Sequence, residues 1–191
     1  MLFRSDRIDK VQPLLWGMSL GLAELWKQAG VEPDGVLGHS MGEVAAAVVA
    51  GILSLEDGAK IIGLRSLLLR RISGRGEMAS VELSEEEAQA ALGEEAAEVG
   101  IAAINGPRST VLSGNPAALD RVLQRLENVY FKKIRVDVAS HSPQVDELKE
   151  ELLSAFSSLS WQAGRIPFWS TVTGEAETRL DAHYWWRSEE H

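Results

Sequence analysis

Apolar residues recur at helical spacing in the first part of the chain. Between Val11 and Ala29 they fall three or four positions apart, and Gly30 follows them. These apolar positions are Val11, Leu14, Leu15, Met18, Leu22, Leu25 and Trp26. The pattern predicts a helix. A short strand at 35–38, a helix at 44–50 and a longer helix at 54–72 are predicted to follow.

The stretch from Met78 to Val138 forms a pattern of its own. Ser84 with Glu87, and Asn115 before a proline, are helix-start signals. In the last strand Ile134, Val136 and Val138 alternate with charged residues and are expected to share one face. The predicted elements are strands at 78–83, 99–104, 110–113 and 133–138, with helices at 84–93 and 115–127. The order βαββαβ is the ferredoxin-like plan.

The remainder of the chain returns to a longer α/β pattern. A helix is predicted from Ser142 to about Leu159, and a buried strand from Ile166 to Val172. We therefore expect an α/β protein in which a large subdomain, residues 1–76 and 139–191, carries a small inserted one, residues 77–138.

Composition excludes several function classes. The chain has 191 residues, no cysteine and a net charge of −9, so it has no disulfide framework, and its charge disfavours a nucleic-acid partner. The four histidines show no zinc spacing, and we expect no bound metal. No apolar run is long enough to span a membrane and residues 1–10 do not form a secretion signal. A soluble cytoplasmic protein is expected.

The segment Gly38-His39-Ser40-Met41-Gly42 carries the clearest chemical signal. A serine between two glycines, after a strand and before a helix, is typical of a nucleophile elbow. Both glycines are expected to keep bulk away from the tight turn, and the helix start favours a developing anion. The alternative is that Ser40 is an ordinary helix N-cap.

A nucleophilic serine needs a base, and four histidines are available. His39 is adjacent to Ser40, and neighbours at an elbow point apart. His183 and His191 lie near the end of the chain. His141 follows a predicted strand and precedes a helix, a place where side chains face a cleft. His141 is therefore the candidate base, with a structural role as the alternative.

Arg65 lies within an apolar stripe of the helix predicted at 54–72. A charge in that position is costly unless it is paired or reaches water. An arginine fork fits a carboxylate bidentately. Arg65 is expected either to form an internal salt bridge or to hold a carboxylate of the substrate.

Together these residues resemble the acyltransferase domain of modular polyketide synthases, in the malonyl-CoA:acyl-carrier-protein transacylase superfamily. The resemblance runs from about residue 5 to 187 and includes the elbow, Arg65 and Val138-Ala139-Ser140-His141. Supporting motifs include Asn105-Gly106-Pro107 and His141-Ser142-Pro143-Gln144. The resemblance implies an α/β-hydrolase-like large subdomain with the ferredoxin-like insert.

The resemblance also implies a mechanism. Ser40 and His141 would be catalytic, Arg65 would pair with the carboxylate of a malonyl-type unit, and the Met41 N–H would be an oxyanion donor. Further substrate-binding positions would be His39, Met41, Asn105, Val138 and Ser140. The donor would be an acyl-CoA and the acceptor the phosphopantetheine of an acyl carrier protein, beside neighbouring polyketide synthase domains, with no bound cofactor.

The residue before the histidine bears on the choice of extender unit. In the family, a bulky aromatic there goes with malonyl, and serine goes with methylmalonyl. Ser140 therefore favours methylmalonyl, with malonyl next, although Val138 stands where the family usually has tyrosine and Met41 where methylmalonyl-selective domains often have glutamine.

Two departures from the family pattern affect the expectation. The family's Gly-Gln-Gly segment, which supplies a second oxyanion donor, and its segment after Tyr-Trp are absent. The chain therefore resembles an internal piece of the domain. Losing one such donor typically costs about 100- to 1000-fold in turnover. A bare sheet edge would favour a homo-oligomer.

Two other functions remain open. A serine hydrolase or thioesterase of the α/β-hydrolase type would need an acidic partner for His141, and Asp137 is the strand-end candidate. An inactive interaction module would fold without ever being acylated at Ser40.

Overall fold

The computed structural model describes residues 7–136 and 138–189, which fall into two compact units. Within the described part, the first unit comprises residues 7–68 and 150–188 and the second 69–136, 138–149 and 189. The first unit is thus built from two segments that lie far apart along the chain. The subdomain boundaries expected from the sequence, after residues 76 and 138, stay a prediction.

The first unit is mainly helical. Its elements are α1 (Ile8–Gln28), β1 (Val36–Leu37), α2 (Gly42–Ala50), α3 (Leu55–Leu69), α6 (Lys149–Phe156), β6 (Phe168–Trp169) and α7 (Ala182–Arg187). The boundary between the units falls inside two of these helices, because Leu69 at the end of α3 and Lys149 at the start of α6 belong to the second unit. The strands β1 and β6 pair in parallel, Val36 opposite Phe168. This pairing joins the two chain segments of the unit.

The second unit is a four-stranded sheet with helices. Its elements are β2 (Glu77–Val81), α4 (Glu85–Leu92), β3 (Val99–Gly106), β4 (Ser109–Gly114), α5 (Pro116–Arg125) and β5 (Phe131–Ile134), with 3-10 helices at Arg70–Ile72, Gly93–Ala97 and Pro143–Leu148. The strand order is β3-β4-β2-β5, antiparallel throughout. The connection order is βαββαβ, as the pattern predicts. Buried residues of β2, β4, α4 and α5 form one apolar core, which includes Leu112 and Leu119.

Helix starts agree closely with the sequence signals. Ser84 and Glu87 form a reciprocal capping box at α4. The Asn115 side chain accepts hydrogen bonds from the first amides of α5, and the Ser54 hydroxyl accepts one from Asp57 N before α3. These caps satisfy amides that have no partner inside the helix, and they confirm three predicted helix starts.

The strand predicted at 133–138 is wrong in its extent. β5 ends at Ile134, and Ile134 and Val136 are exposed whereas Val138 is buried. These three residues therefore do not share a face. The ladder to β2 ends with the pair Met78–Ile134, and the next two described residues, 135 and 136, are not part of a strand. Asp137 lies outside the described residues.

The helix predicted from Ser142 is interrupted. A 3-10 helix at Pro143–Leu148 precedes α6. The apolar residues Val145, Leu148 and Phe156 of this segment are nevertheless all buried.

The strand predicted at 166–172 is much shorter than expected. Only Phe168–Trp169 are extended and paired, and Trp169 is 49% exposed. Ser170 accounts for the early end, because its hydroxyl accepts hydrogen bonds from the amides of Val172 and Thr173 and turns the chain.

The first helix forms as predicted, but its apolar face lies open. The exposed apolar side chains of α1 are Leu14, Leu15, Met18, Leu22, Leu25 and Trp26. Their fractional exposure reaches 62% at Leu25 and Trp26. No helix in the described part of the chain is both long and apolar enough to cross a membrane.

Candidate active site

Ser40 lies in a strained turn between β1 and α2. Its φ of 51° is in the left-handed region, which costs a non-glycine residue roughly 1–2 kcal/mol. The turn is closed by hydrogen bonds from Gly42 N to His39 O and from Glu43 N to Ser40 O, both 2.9 Å. This is the backbone geometry expected of a nucleophile elbow, and it disagrees with the alternative that Ser40 is an ordinary N-cap, because Met41 occupies that position.

The two glycines of the elbow differ in their steric role. A Cβ on Gly38 would lie only 2.1 Å from the carbonyl carbon of Gly42. Position 38 therefore requires glycine. A Cβ on Gly42 would meet nothing within 4 Å outside its own helix and chain neighbours, so the expectation that both glycines are sterically required is wrong for Gly42.

Arg65 extends from α3 to the elbow. It is 2% exposed, and its Nη2 donates a 3.0 Å hydrogen bond to Ser40 Oγ. The structure therefore brings together two of the residues that the sequence singles out. A guanidinium at this distance from the Ser40 hydroxyl would also lie close to any acyl group that the hydroxyl carried.

Glu43 is a site residue that sequence reasoning missed. Its side chain is completely buried in the first turn of α2. Thr171 N donates to Oε1 at 2.8 Å, and the hydroxyls of Thr171 and Tyr184 lie 3.0 Å from the same oxygen. Ser188 Oγ donates to Oε2 at 2.8 Å. The only signal in the sequence is an acid three residues after the serine.

The other residues near the elbow have simpler placements. Met41 is the N-cap residue of α2 with φ −52°, and His39 is exposed. Burial raises the pKa of Tyr184. Its hydroxyl therefore stays protonated and can donate its one proton either to Glu43 Oε1 or to Ser170 Oγ.

His141 lies in a tightly held segment of the second unit. Its φ is 55°, again in the left-handed region. The carbonyls of the two preceding residues are fixed, because Ser113 Oγ donates to Ser140 O and Ser142 Oγ donates to Ala139 O, both at 2.7 Å.

Gly76 makes close packing possible in the same segment. A Cβ there would lie 2.2 Å from the Cβ of Ala139, so position 76 requires glycine for this approach. The stretch at 73–76 therefore has a packing role at its last residue.

The remaining predicted substrate positions belong to the second unit as well. Val138 is buried, Ser140 is half-buried, and Asn105 is exposed near the end of β3, one residue beyond the strand predicted at 99–104. The convergence of His141 and these residues on Ser40 stays a prediction. Across residues 7–136 and 138–189, no group of three or more His, Cys, Asp or Glu residues is arranged to hold a metal ion.

Comparison with known proteins identifies similar chains. The family model described as the acyl transferase domain matches residues 3–191. Polyketide synthase GfsB of Streptomyces halstedii is 47% identical over 188 residues, which are 96% of this chain and 3% of that protein. The chain therefore spans only a small part of this curated relative.

Solved structures agree with the sequence matches. The acyltransferase domain from module 8 of the salinomycin polyketide synthase is 45% identical with a TM-score of 0.94, covering 97% of this chain and 45% of that one. A loading acyltransferase from the avermectin modular polyketide synthase is 40% identical with a TM-score of 0.91, covering 97% of this chain and 61% of that one.

Proposed function

The chain belongs to the acyl transferase domain family as it occurs in polyketide synthases, and from that premise we propose that it loads a malonyl-type extender unit onto an acyl carrier protein. The donor is an acyl-CoA, and the acceptor is the phosphopantetheine thiol of the carrier protein, which works beside neighbouring synthase domains. The observation that carries the proposal is the 3.0 Å hydrogen bond from Arg65 Nη2 to Ser40 Oγ.

Arg65 supplies selectivity for dicarboxylic units. In a malonyl ester of Ser40, one methylene separates the ester carbonyl from the free carboxylate. A guanidinium that contacts Oγ is therefore within reach of that carboxylate, and charge-assisted bidentate pairing is the interaction that arginine makes best. The near-complete burial of Arg65 supports this role, because pairs that exclude water are stronger.

The first half-reaction is acylation of Ser40. Oγ attacks the thioester carbonyl, and His141 takes the hydroxyl proton as the C–O bond forms. The Met41 N–H, at the start of α2, stabilises the negative charge on the carbonyl oxygen. When the C–S bond breaks, the proton passes from His141 to the sulfur, and coenzyme A leaves as the thiol.

The second half-reaction repeats these steps in reverse. His141 takes the proton of the phosphopantetheine thiol, the sulfur attacks the ester carbonyl, and Ser40 Oγ leaves with that proton. Pairing of the substrate carboxylate with Arg65 keeps the acyl-enzyme oriented for the thiol. The fixed carbonyls of Ala139 and Ser140 support a defined backbone at His141.

The extender unit is proposed to be methylmalonyl, with malonyl next. Ser140 is small and leaves room for an α-methyl branch beside the reacting carbon, with Val138, His39 and Asn105 as further substrate positions. One methyl group is worth only about 1–3 kcal/mol of discrimination, so both donors are expected to react.

We also propose that the two units are the partial large subdomain and the inserted ferredoxin-like subdomain.

Intact-mass spectrometry tests the proposal directly. The chain is incubated with malonyl-CoA or methylmalonyl-CoA, and one acyl adduct is expected that is lost in Ser40→Ala and retained in Ser19→Ala, an exposed serine of α1. Transfer of the adduct to a carrier protein completes the test. Release of free acid instead, at the same rate without carrier protein, would establish a hydrolase, and a folded chain that is never acylated would contradict both.

A further inference from the structure

Glu43 is an acidic residue in the protein interior, where an ionised side chain costs free energy. Its side chain has no exposed surface, and a buried carboxylate is tolerated only when hydrogen bonds compensate for lost hydration. The compensating donors come from Thr171, Tyr184 and Ser188, more than 120 positions away along the chain. The fold therefore brings three distant residues to this one carboxylate.

The same contacts hold both ends of the elbow. Thr171 N donates to Glu43 Oε1 at 2.8 Å, and the single proton of the Thr171 hydroxyl can be donated either to Gly38 O, 3.1 Å away, or to Glu43 Oε1, 3.0 Å away. Gly38 precedes the strained Ser40 by two residues, and Glu43 follows it by three. The Glu43 amide itself donates to Ser40 O at 2.9 Å. The Glu43 carboxylate, the Thr171 hydroxyl and the Glu43 amide together hold the backbone of Ser40 in its left-handed conformation, from which it would otherwise relax. We call this set of contacts the clamp.

We propose that Glu43 is a positioning residue for Ser40, acting with Thr171 to hold the elbow in its strained conformation. The inference rests on the proposed function for its catalytic consequence. The position of Oγ relative to Arg65, and the direction of the Met41 N–H, are both set by this backbone. Misplacement of a reacting group by about 1 Å can cost on the order of 100-fold in rate.

A purely structural role would give a different result. Asp57 is a matched control, because it is also a buried carboxylate of the first unit that accepts hydrogen bonds from serines. Its serine partners, Ser54 and Ser160, lie outside the elbow segment 38–43. If Glu43 contributed only to folding, Glu43→Gln and Asp57→Asn would both lower stability and leave the folded molecules equally reactive.

The first measurement is hydrogen–deuterium exchange of peptides covering 38–46. Glu43→Gln keeps the side-chain shape but removes the charge that strengthens its hydrogen bonds. Thr171→Val removes the hydroxyl and keeps the volume, whereas Thr171→Ser keeps the hydroxyl. We expect the amides of Gly42, Glu43 and Val44 to exchange roughly tenfold faster or more in the first two variants. Thr171→Ser and Asp57→Asn are expected to match the parent chain there.

The second measurement is of two rates, acylation of Ser40 by methylmalonyl-CoA and labelling of Ser40 by a fluorophosphonate. The variants are compared at equal folded fraction, which circular dichroism measures. Glu43→Gln and Thr171→Val are expected to react about 10- to 100-fold more slowly. Thr171→Ser should restore the rate, and Asp57→Asn should leave it unchanged.

The outcomes separate this inference from the proposed function. Parental exchange at the elbow in Glu43→Gln and Thr171→Val, with parental labelling rates, would overturn the positioning role. Slower fluorophosphonate labelling in a chain that never accepts acyl-CoA would overturn the proposed function and support positioning. If the parent chain reacts with neither probe, the exchange data alone decide: faster exchange supports the clamp and unchanged exchange refutes it.

Discussion

At the scale of single residues, Arg65 shows what the structure adds to a chemical signal. The sequence leaves two roles for a guanidinium in an apolar stripe: an internal salt bridge or a substrate carboxylate. In the structure its Nη2 donates to the hydroxyl of Ser40. This contact places the guanidinium charge at the hydroxyl that we propose as the nucleophile, which favours the proposed role toward substrate.

Replacing Arg65 by alanine should therefore change donor selectivity. We expect acylation by malonyl-CoA and methylmalonyl-CoA to fall about 10- to 100-fold, because a charged hydrogen bond to the carboxylate is lost. Acylation by acetyl-CoA, which lacks that carboxylate, should be unchanged or faster. Intact mass against time measures all three rates.

Lys60→Ala is the matched control for Arg65→Ala, because it removes the same charge from an exposed position of the same helix. Its rates should equal those of the parent chain. Equal losses for acetyl and malonyl donors in Arg65→Ala would show that the arginine does not recognise a carboxylate.

At the scale of elements, sequence motifs predict helix starts correctly where the interactions that stabilise the start join residues close together in the chain. The capping box at Ser84 and the Asn115 cap are both predicted and found, because they involve residues within three positions of each other. The far ends of α4 and α5 are joined differently. Arg125 Nη2 donates to the carbonyls of Ala91 and Leu92 and to Glu95, which also accepts from Arg121.

This cluster predicts an acid dependence of stability. Arg125 first, then Arg121, lower the pKa of Glu95 to about 2, below the value of an unfolded chain. The contribution of Glu95 is therefore complete above about pH 4.5 and is lost as the pH falls toward 2. Urea midpoints of the parent chain and Glu95→Gln should differ most near pH 6, differ less at pH 3, and converge only as the pH approaches 2.

The neighbouring Glu94→Gln provides the control, since Glu94 is exposed. Its midpoint should follow that of the parent chain across this range. A gap between Glu95→Gln and the parent chain that stays constant from pH 6 to 3 would mean that the ion pairs do not carry the pH dependence.

At the scale of the whole molecule, the first unit depends on segments that are distant in sequence. The pairing of Val36 with Phe168 and the contacts of Glu43 with Thr171, Tyr184 and Ser188 join residues 7–68 to residues 150–188. A buried network of this kind is costly to break at any member, because the remaining polar groups lose their partners.

Tyr184→Phe should therefore destabilise the chain without changing its volume much. We expect the free energy of unfolding to fall by about 1–3 kcal/mol, because a hydroxyl is removed beside a buried carboxylate. Urea unfolding followed by tryptophan fluorescence measures this free energy, since Trp185 and Trp186 are buried in the same helix as Tyr184. Tyr130→Phe, at an exposed tyrosine, should change it by less than about 0.5 kcal/mol. Equal effects of the two changes would contradict a stabilising network.

The sequence by itself determined the first five helices, the caps at Ser54, Ser84 and Asn115, the βαββαβ order and the residue types of the elbow, because periodicity and capping depend on neighbours within a turn or two. It did not determine the interruption of the helix predicted from Ser142 or the short helix α7. Only the tertiary structure decided that β5 ends at Ile134, that the strand at 168 is two residues long, and that the apolar face of α1 stays open. It also decided the contact of Arg65 with Ser40 and the burial of Glu43. Strand ends and buried polar contacts depend on partners from distant parts of the chain, and no local pattern encodes which partners those will be.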